Sequence, residues 1–327
     1  PDTMATAESA KLEYEAGQQA VAMAALTDSG DHLKFNSAAT LWSGRAGYAP
    51  VVRPNGLLTG GALSVSATNN VVNVAALTCN LAGVVTAVAA GTATITRPAS
   101  NVAKVCSITV NASGALAVVA GTDGSDANFS ETRGAAGGPP LIPTTSIEIG
   151  QARVATSTAA ALTDAQLYSV VGLHVERADF PLFNVDYSTG SVSFLAALPL
   201  IHTGPVPKAV FASYSTPIFG EVSLAADFVP PETSHSVSST QIYNTTLGSS
   251  KATLGQGAFT AYLDDGVTDP LVGLKNEYLW FRFYPSRYAS SYLLCQGKLG
   301  INRTWPAGDN IKVDCTVSAT SAALEVA

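Results

Sequence analysis

Between Arg53 and Arg97 the chain carries no charged residue, and no acidic residue stands between Asp31 and Asp123. A run of this length either crosses a membrane or folds as short segments that are each largely covered. Asn69, Asn70, Asn73 and Asn80, with several Thr and Gly, interrupt it, and Leu and Phe are scarce, so it is no membrane span. What fits is short strands between turns, predicted at 62–67, 71–77, 83–88, 92–96 and 105–110. The same economy of charge holds for all 327 residues. Charged residues make up 13%, about half the usual share, while Ala, Gly, Ser, Thr and Val abound. An isolated monomer keeps more charge for solubility. The composition therefore suits an all-β chain whose surface is covered by neighbours. The net charge of −7 comes without a basic patch, which excludes adhesive binding to nucleic acid.

The remaining segments read as β structure too. Residues 1–20 fit a weak helix or a strand, with the lean to a strand or arm. Strands are predicted at 116–120, 146–154, 206–214, 219–225, 236–243, 258–263, 291–296, 298–304 and 310–318. Phe183-Asn-Val-Asp-Tyr-Ser-Thr-Gly-Ser-Val-Ser-Phe194 is a hairpin of two alternating runs. Thr163, with Gln166 three residues on, starts a short helix, and 269–274 is a helical turn. Arg133-Gly-Ala-Ala-Gly-Gly-Pro-Pro-Leu-Ile-Pro143 has the composition of a linker. It divides the chain into an arm (1–34), a small β domain with its linker (35–143) and a larger β domain (144–327).

The densest aromatic run is Tyr278-Leu-Trp-Phe-Arg-Phe-Tyr284. Side chains alternate along a strand, so Leu279, Phe281 and Phe283 share a core face. Tyr278, Trp280, Arg282 and Tyr284 share the other, which is not a solvent face. Tyr, Trp and Arg are the types enriched at protein interfaces. Two explanations stand: an inner layer of one domain with Arg282 reaching an edge, or a contact between copies. The four residues are the candidate subunit interface.

Residues that carry chemistry are scattered. His32, His174, His202 and His235 have no carboxylate or Cys at ligand spacing, and they read as loop or surface histidines. Cys79, Cys106, Cys295 and Cys315 lack C-x-x-C spacing and read as buried free thiols. Asp264-Asp-Gly-Val-Thr-Asp269 has Lys275 where a calcium loop needs Glu, so it reads as a turn with Asp269 capping a helix at Pro270. Glu176, Asp179 and Asp186 lie near in sequence but form no paired-carboxylate site. No nucleophile elbow or phosphate loop occurs. The reading is of a non-enzyme without metal or cofactor, made in a cytoplasm, since the first residues lack an apolar leader segment.

Two stretches resemble known families. Val84-Val-Thr-Ala-Val-Ala-Ala-Gly-Thr-Ala-Thr-Ile-Thr96 is similar to the immunoglobulin-like modules of phage virion and bacterial surface proteins. The region 144–327 resembles the major tail tube proteins of long-tailed bacteriophages. The resemblance is carried by Asp186-Tyr-Ser-Thr-Gly-Ser-Val-Ser-Phe194, by Phe219-Gly-Glu-Val-Ser-Leu-Ala-Ala-Asp-Phe-Val-Pro-Pro231, and by Tyr262-Leu-Asp-Asp-Gly-Val-Thr-Asp-Pro-Leu-Val272 leading into the aromatic run. Ile311-Lys-Val-Asp-Cys-Thr-Val-Ser-Ala319 closes it. The resemblance implies two packed antiparallel sheets with one short helix, a tail-tube-like sandwich or barrel, beside an N-terminal immunoglobulin-like β-sandwich. It also implies hexameric rings stacked into a tube of the virion. Other tail proteins would be partners, and DNA and the tape measure protein would pass through the lumen without specific binding or membrane insertion. The seven acidic against three basic residues of 144–229 are consistent with a lumen that repels DNA. A fibre, baseplate or decoration protein is the alternative, since Ser130 to Pro143 also resembles phage tail-fibre adaptors. A bacterial surface-binding module is a further one.

Overall fold

In the computed structural model, residues 9–169 and 177–327 are described. The fold is all-β, built of several antiparallel sheets, with one short α-helix among the described residues, Pro270–Gly273. No helix among these residues is long and apolar enough to cross a membrane. The chain forms two compact units. The terminal unit holds Pro1–Ala20, Trp42–Ala49 and Ser215–Ala327, and the central unit holds Val21–Leu41 and Pro50–Tyr214. This differs from the expected division at 34 and 143. Strand Lys104–Val110 pairs with Ile147–Val154 across the expected linker, and strands Thr27–Asp28 and Lys34–Asn36 join Ser191–Phe194 in one sheet. A Gly- and Pro-rich composition reports turn geometry, and here the turns are packed. Arg133 donates from Nη2 to the buried Glu148 carboxylate at 2.6 Å, and the Gly137 amide donates to the Thr122 carbonyl.

The central unit is four small sheets of three or four strands. The uncharged run supplies two of them. Leu63–Val65, Val71–Val74 and Gly91–Thr94 form one, and Gly56–Gly60, Leu77–Leu81 and Val84–Val88 the other. Their apolar faces, with Ile108, Val110, Ile147, Ile149 and Val154 from the 104–110 and 147–154 strands, enclose one core. The 183–194 hairpin forms as the alternation requires, Phe183 opposite Phe194. Phe194 packs edge-on against Phe35, with ring centroids 5.6 Å apart.

The terminal unit contains one large sheet, where two packed sheets were expected. Its order is Ala225–Val229, Gly257–Tyr262, Lys312–Ala319, Tyr292–Thr304, Tyr278–Tyr284, Lys11–Ala25, Val210–Glu221 and, against residues 210–213 alone, Val51–Pro54. The N-terminal segment is thus a strand. The C-terminal strand Leu324–Val326 folds back on Tyr292 to Leu294. The sheet is rolled. Phe228 and Phe283 lie four strands apart, about 19 Å along a flat sheet, yet their rings stack at 4.6 Å. Phe259 and Phe281, three strands apart, have centroids at 5.9 Å. The strand finishing at Glu221 and the one starting at Ala225, six places apart in the order, are joined by residues 222–224 alone. Leu12, Tyr14, Phe259, Leu279, Phe281, Leu299 and Val313, together with Leu271 of the helix, fill the concave side.

Two breaks expected from sequence are absent. The strand Tyr292–Thr304 runs unbroken through Gly297. Pro217 lies inside Val210–Glu221. Beyond Ser213 that strand has left its partner Val51–Pro54, so the missing proline N–H falls on an open edge.

Candidate functional site

The aromatic strand Tyr278–Tyr284 puts Leu279 and Phe281 in the core with no exposure, and Phe283 on Phe228. Its second face is divided. At one end the chain covers it with its own residues 42–49. Trp280 is 3% exposed, and its indole Nε1 donates to the Trp42 carbonyl at 2.8 Å. The backbone N–H of Trp280 donates to Glu15 Oε2 at 3.2 Å. The register with the N-terminal strand ends at Tyr14 opposite Phe281, and the Glu15 side chain accepts the next amide. Glu15 is wholly buried and also accepts from Ser43 Oγ at 2.5 Å and Gln18 Nε2 at 2.8 Å. A carboxylate can be held there because hydrogen bonds replace its water. Gly44 permits the close approach, since a Cβ would stand 2.5 Å from Gln296 Nε2, and Gln296 is the register partner of Trp280. Arg45 Nε meets Glu277 at 3.1 Å and fastens the cover.

Trp280 is therefore an inner-layer residue of this unit, which corrects its place in the candidate interface. Burial of its face could not be read from alternation, because the covering segment lies more than 200 residues away in sequence.

At the other end of the strand the face stays half open. The Arg282 guanidinium lies over the Phe219 ring at 3.7 Å and the Tyr292 ring at 5.2 Å. Tyr284 contacts Tyr292 at 5.1 Å between centroids, and Lys11 sits over Tyr284 at 4.5 Å. Arg282 Nε is shielded from solvent and has no hydrogen-bond partner. Tyr278, Arg282 and Tyr284 are all half-buried.

A third feature was only partly anticipated. Strands Thr233–Ile242 and Thr245–Leu254 pair over ten residues each, where the sequence predicted one strand at 236–243. Every described side chain from Thr233 to Thr253 is exposed. Val237 is 80% exposed, Leu247 63%, and Tyr243 fully so. A two-stranded hairpin without a packed face is at best marginally stable alone in water.

The other groups that could carry chemistry are engaged. In the 264–269 turn, Asp269 accepts the amides of Asp264, Asp265 and Gly266, so it closes the turn and makes no side-chain cap to the helix. The Thr268 hydroxyl, with the Val267 and Thr268 amides, holds the Asp265 carboxyl well below the usual carboxylate range. The four cysteines are free and buried. Burial pushes the Cys295 and Cys315 thiols up to about 12. His32 pairs with Asp28, and His235 is exposed on the hairpin. His202 is no surface histidine: it is 1% exposed, its Nδ1 lies 3.1 Å from the Pro143 carbonyl, and burial holds its pKa below the ordinary value. Asp179 pairs with Arg177, and Asp186 is held by Ser188 and Thr189. His174 and Glu176 lie outside the described residues. No group of three or more His, Cys, Asp or Glu that could hold a metal occurs among the described residues.

What the terminal unit offers is surface: a half-open aromatic and cationic patch and an exposed hairpin. No protein-family model matches the chain, and no curated protein sequence is similar to it.

Proposed function

We propose that the chain is a structural virion protein that assembles with copies of itself into stacked hexameric rings, the tail tube of a long-tailed bacteriophage. The observation that carries this reading is the 233–254 hairpin, whose described side chains are exposed from Thr233 to Thr253. A ribbon of this length with Val237, Ile242, Tyr243 and Leu247 exposed reaches its stable state by packing on another molecule. The low charge of the whole chain and the half-open face around Arg282 support the same reading. Arg and Tyr in a partly desolvated cluster are the residue types of interface hot spots. In a tube, neighbouring copies also cover the sheet edges that a lone subunit leaves open. The genome passes through the lumen, and the acid surplus of 144–229 keeps DNA from adhering.

Negative-stain microscopy of purified protein, over a range of concentrations, tests this. Six-fold rings or hollow tubes are expected. A trimeric rod, or a monomer that stays dispersed at every concentration, overturns it.

A further inference from the structure

The rolled sheet of the terminal unit leaves a cleft beside the short joint at residues 222–224. The cleft has a volume of about 730 Å³ and is walled by Leu12, Val222, Leu224, Phe228, Phe283 and Pro285. That volume lies within the range of pockets that enclose a whole ligand. Four charged residues stand at the same cleft: Lys11, Glu221, Asp227 and Arg287. Three of them are paired, Arg287 with Glu221 at 3.2 Å and Lys11 with Glu13 at 2.7 Å. Asp227 is exposed and has no ion pair among the described residues.

The hairpin has a matching end. Thr240 stands opposite Leu247 and Ile242 opposite Thr245, so Ile242 and Leu247 lie on one face at the tip, with Tyr243 in the turn. On that face the shaft behind them is Ser234, Ser236, Ser238, Thr240, Ser249 and Thr253, with Lys251. Lys251 is the one formally charged residue of 233–254. It shares the face of Leu247 and stands about 13 Å back along the strand.

We propose that the hairpin tip of one copy seats Ile242, Tyr243 and Leu247 in this cleft of a second copy, with Lys251 brought to Asp227. The inference rests on the self-assembly reading and names the surface that receives the arm. The occupant is a second copy because Ile242, Tyr243 and Leu247 are exposed on their own chain, Tyr243 fully. The charges also correspond: the arm's single cation meets the cleft's unpaired carboxylate. Tip and cleft are different surfaces, so the contact is head-to-tail, and repeating it generates a closed ring or an open stack.

The test uses the full chain in two ways. Single variants Tyr243→Cys and Leu224→Cys are mixed and oxidised. Both positions are exposed, and the four native cysteines are buried. A cross-linked dimer is expected in the mixture and in neither variant alone. In parallel, Leu247→Asp is compared with Val84→Asp, an equally exposed apolar site far from the hairpin in sequence. Leu247→Asp is expected to lower the assembled fraction at a given concentration by about tenfold or more, and Val84→Asp to leave it unchanged. If rings or tubes form, no cross-link appears and Leu247→Asp assembles like the parent, this docking is wrong while self-assembly stands. If the parent chain remains monomeric at every concentration, both readings fall.

Discussion

Glu15 is the residue on which the aromatic strand, the N-terminal strand and residues 42–49 converge. Three donors satisfy it: the Trp280 amide, Ser43 Oγ and Gln18 Nε2. Truncation to Ala strands the buried Trp280 amide and Ser43 hydroxyl, so Glu15→Ala is expected to destabilise the terminal unit by about 2–5 kcal/mol, read from urea denaturation. Trp280→Glu is likewise expected to unfold that unit and not to act as a selective block of assembly, which circular dichroism and sizing distinguish. In the central unit, His202 makes stability depend on pH. Burial lowers its pKa in the folded state, the Arg133 charge acts in the same direction, and Glu148 opposes them. The folded state therefore binds fewer protons than the unfolded chain, whose His titrates near 6.5. The contribution is fully present above that pH and is lost as pH falls from about 6.5 towards the folded value. The urea midpoint of the central unit should fall between pH 7.5 and 5.5, and His202→Asn should flatten that dependence.

Among elements, the 133–143 segment shows how a linker-like composition can serve a packed strap. Arg133 reaches the buried Glu148, which also accepts from Ser107 Oγ and Gln151 Nε2, and Arg153 holds Glu131 at 2.5 Å. Removing Arg133 leaves a carboxylate buried without its cation, so Arg133→Ala is expected to cost about 3–5 kcal/mol. On a Glu148→Gln background the same change should cost roughly half as much or less, because no bare charge remains. A double-mutant cycle by chemical denaturation measures the difference. Gly44 acts by absence: a Cβ there would stand 2.5 Å from Gln296 Nε2, and that side chain would have to shift. The hairpin is the opposite kind of element, since its described side chains from Thr233 to Thr253 are exposed. Its base is closed by the Gly255 amide on the Glu232 carbonyl. Replacing residues 234–253 with a two-residue turn should leave the melting temperature of the chain within a few degrees and abolish rings or tubes in the microscope.

At the scale of the whole molecule, the two units answer different needs. The central unit collects small sheets round one apolar core, and the terminal unit rolls one sheet round another. Much of this was legible in the sequence. Alternation and turn chemistry are local, and they placed the strands Leu116–Ala120 and Tyr278–Tyr284 and the 183–194 hairpin within a residue or so. The lack of charge announced a β chain, and Leu279, Phe281 and Phe283 read correctly as one core face. Pairing between distant segments was not legible, because period-2 patterning says which face a residue takes and not what lies against it. The covering of Trp280 by residues 42–49 and the union of the 104–110 and 147–154 strands are of this kind. So is the roll, which depends on twist accumulated over seven strands. The sequence by itself determined the β class, the positions of strands such as Leu116–Ala120 and Tyr278–Tyr284, and the scarcity of charge, all properties of neighbours along the chain. The tertiary structure alone decided which half of the aromatic strand's second face is closed and which half remains open, because that depends on what a distant loop leaves uncovered.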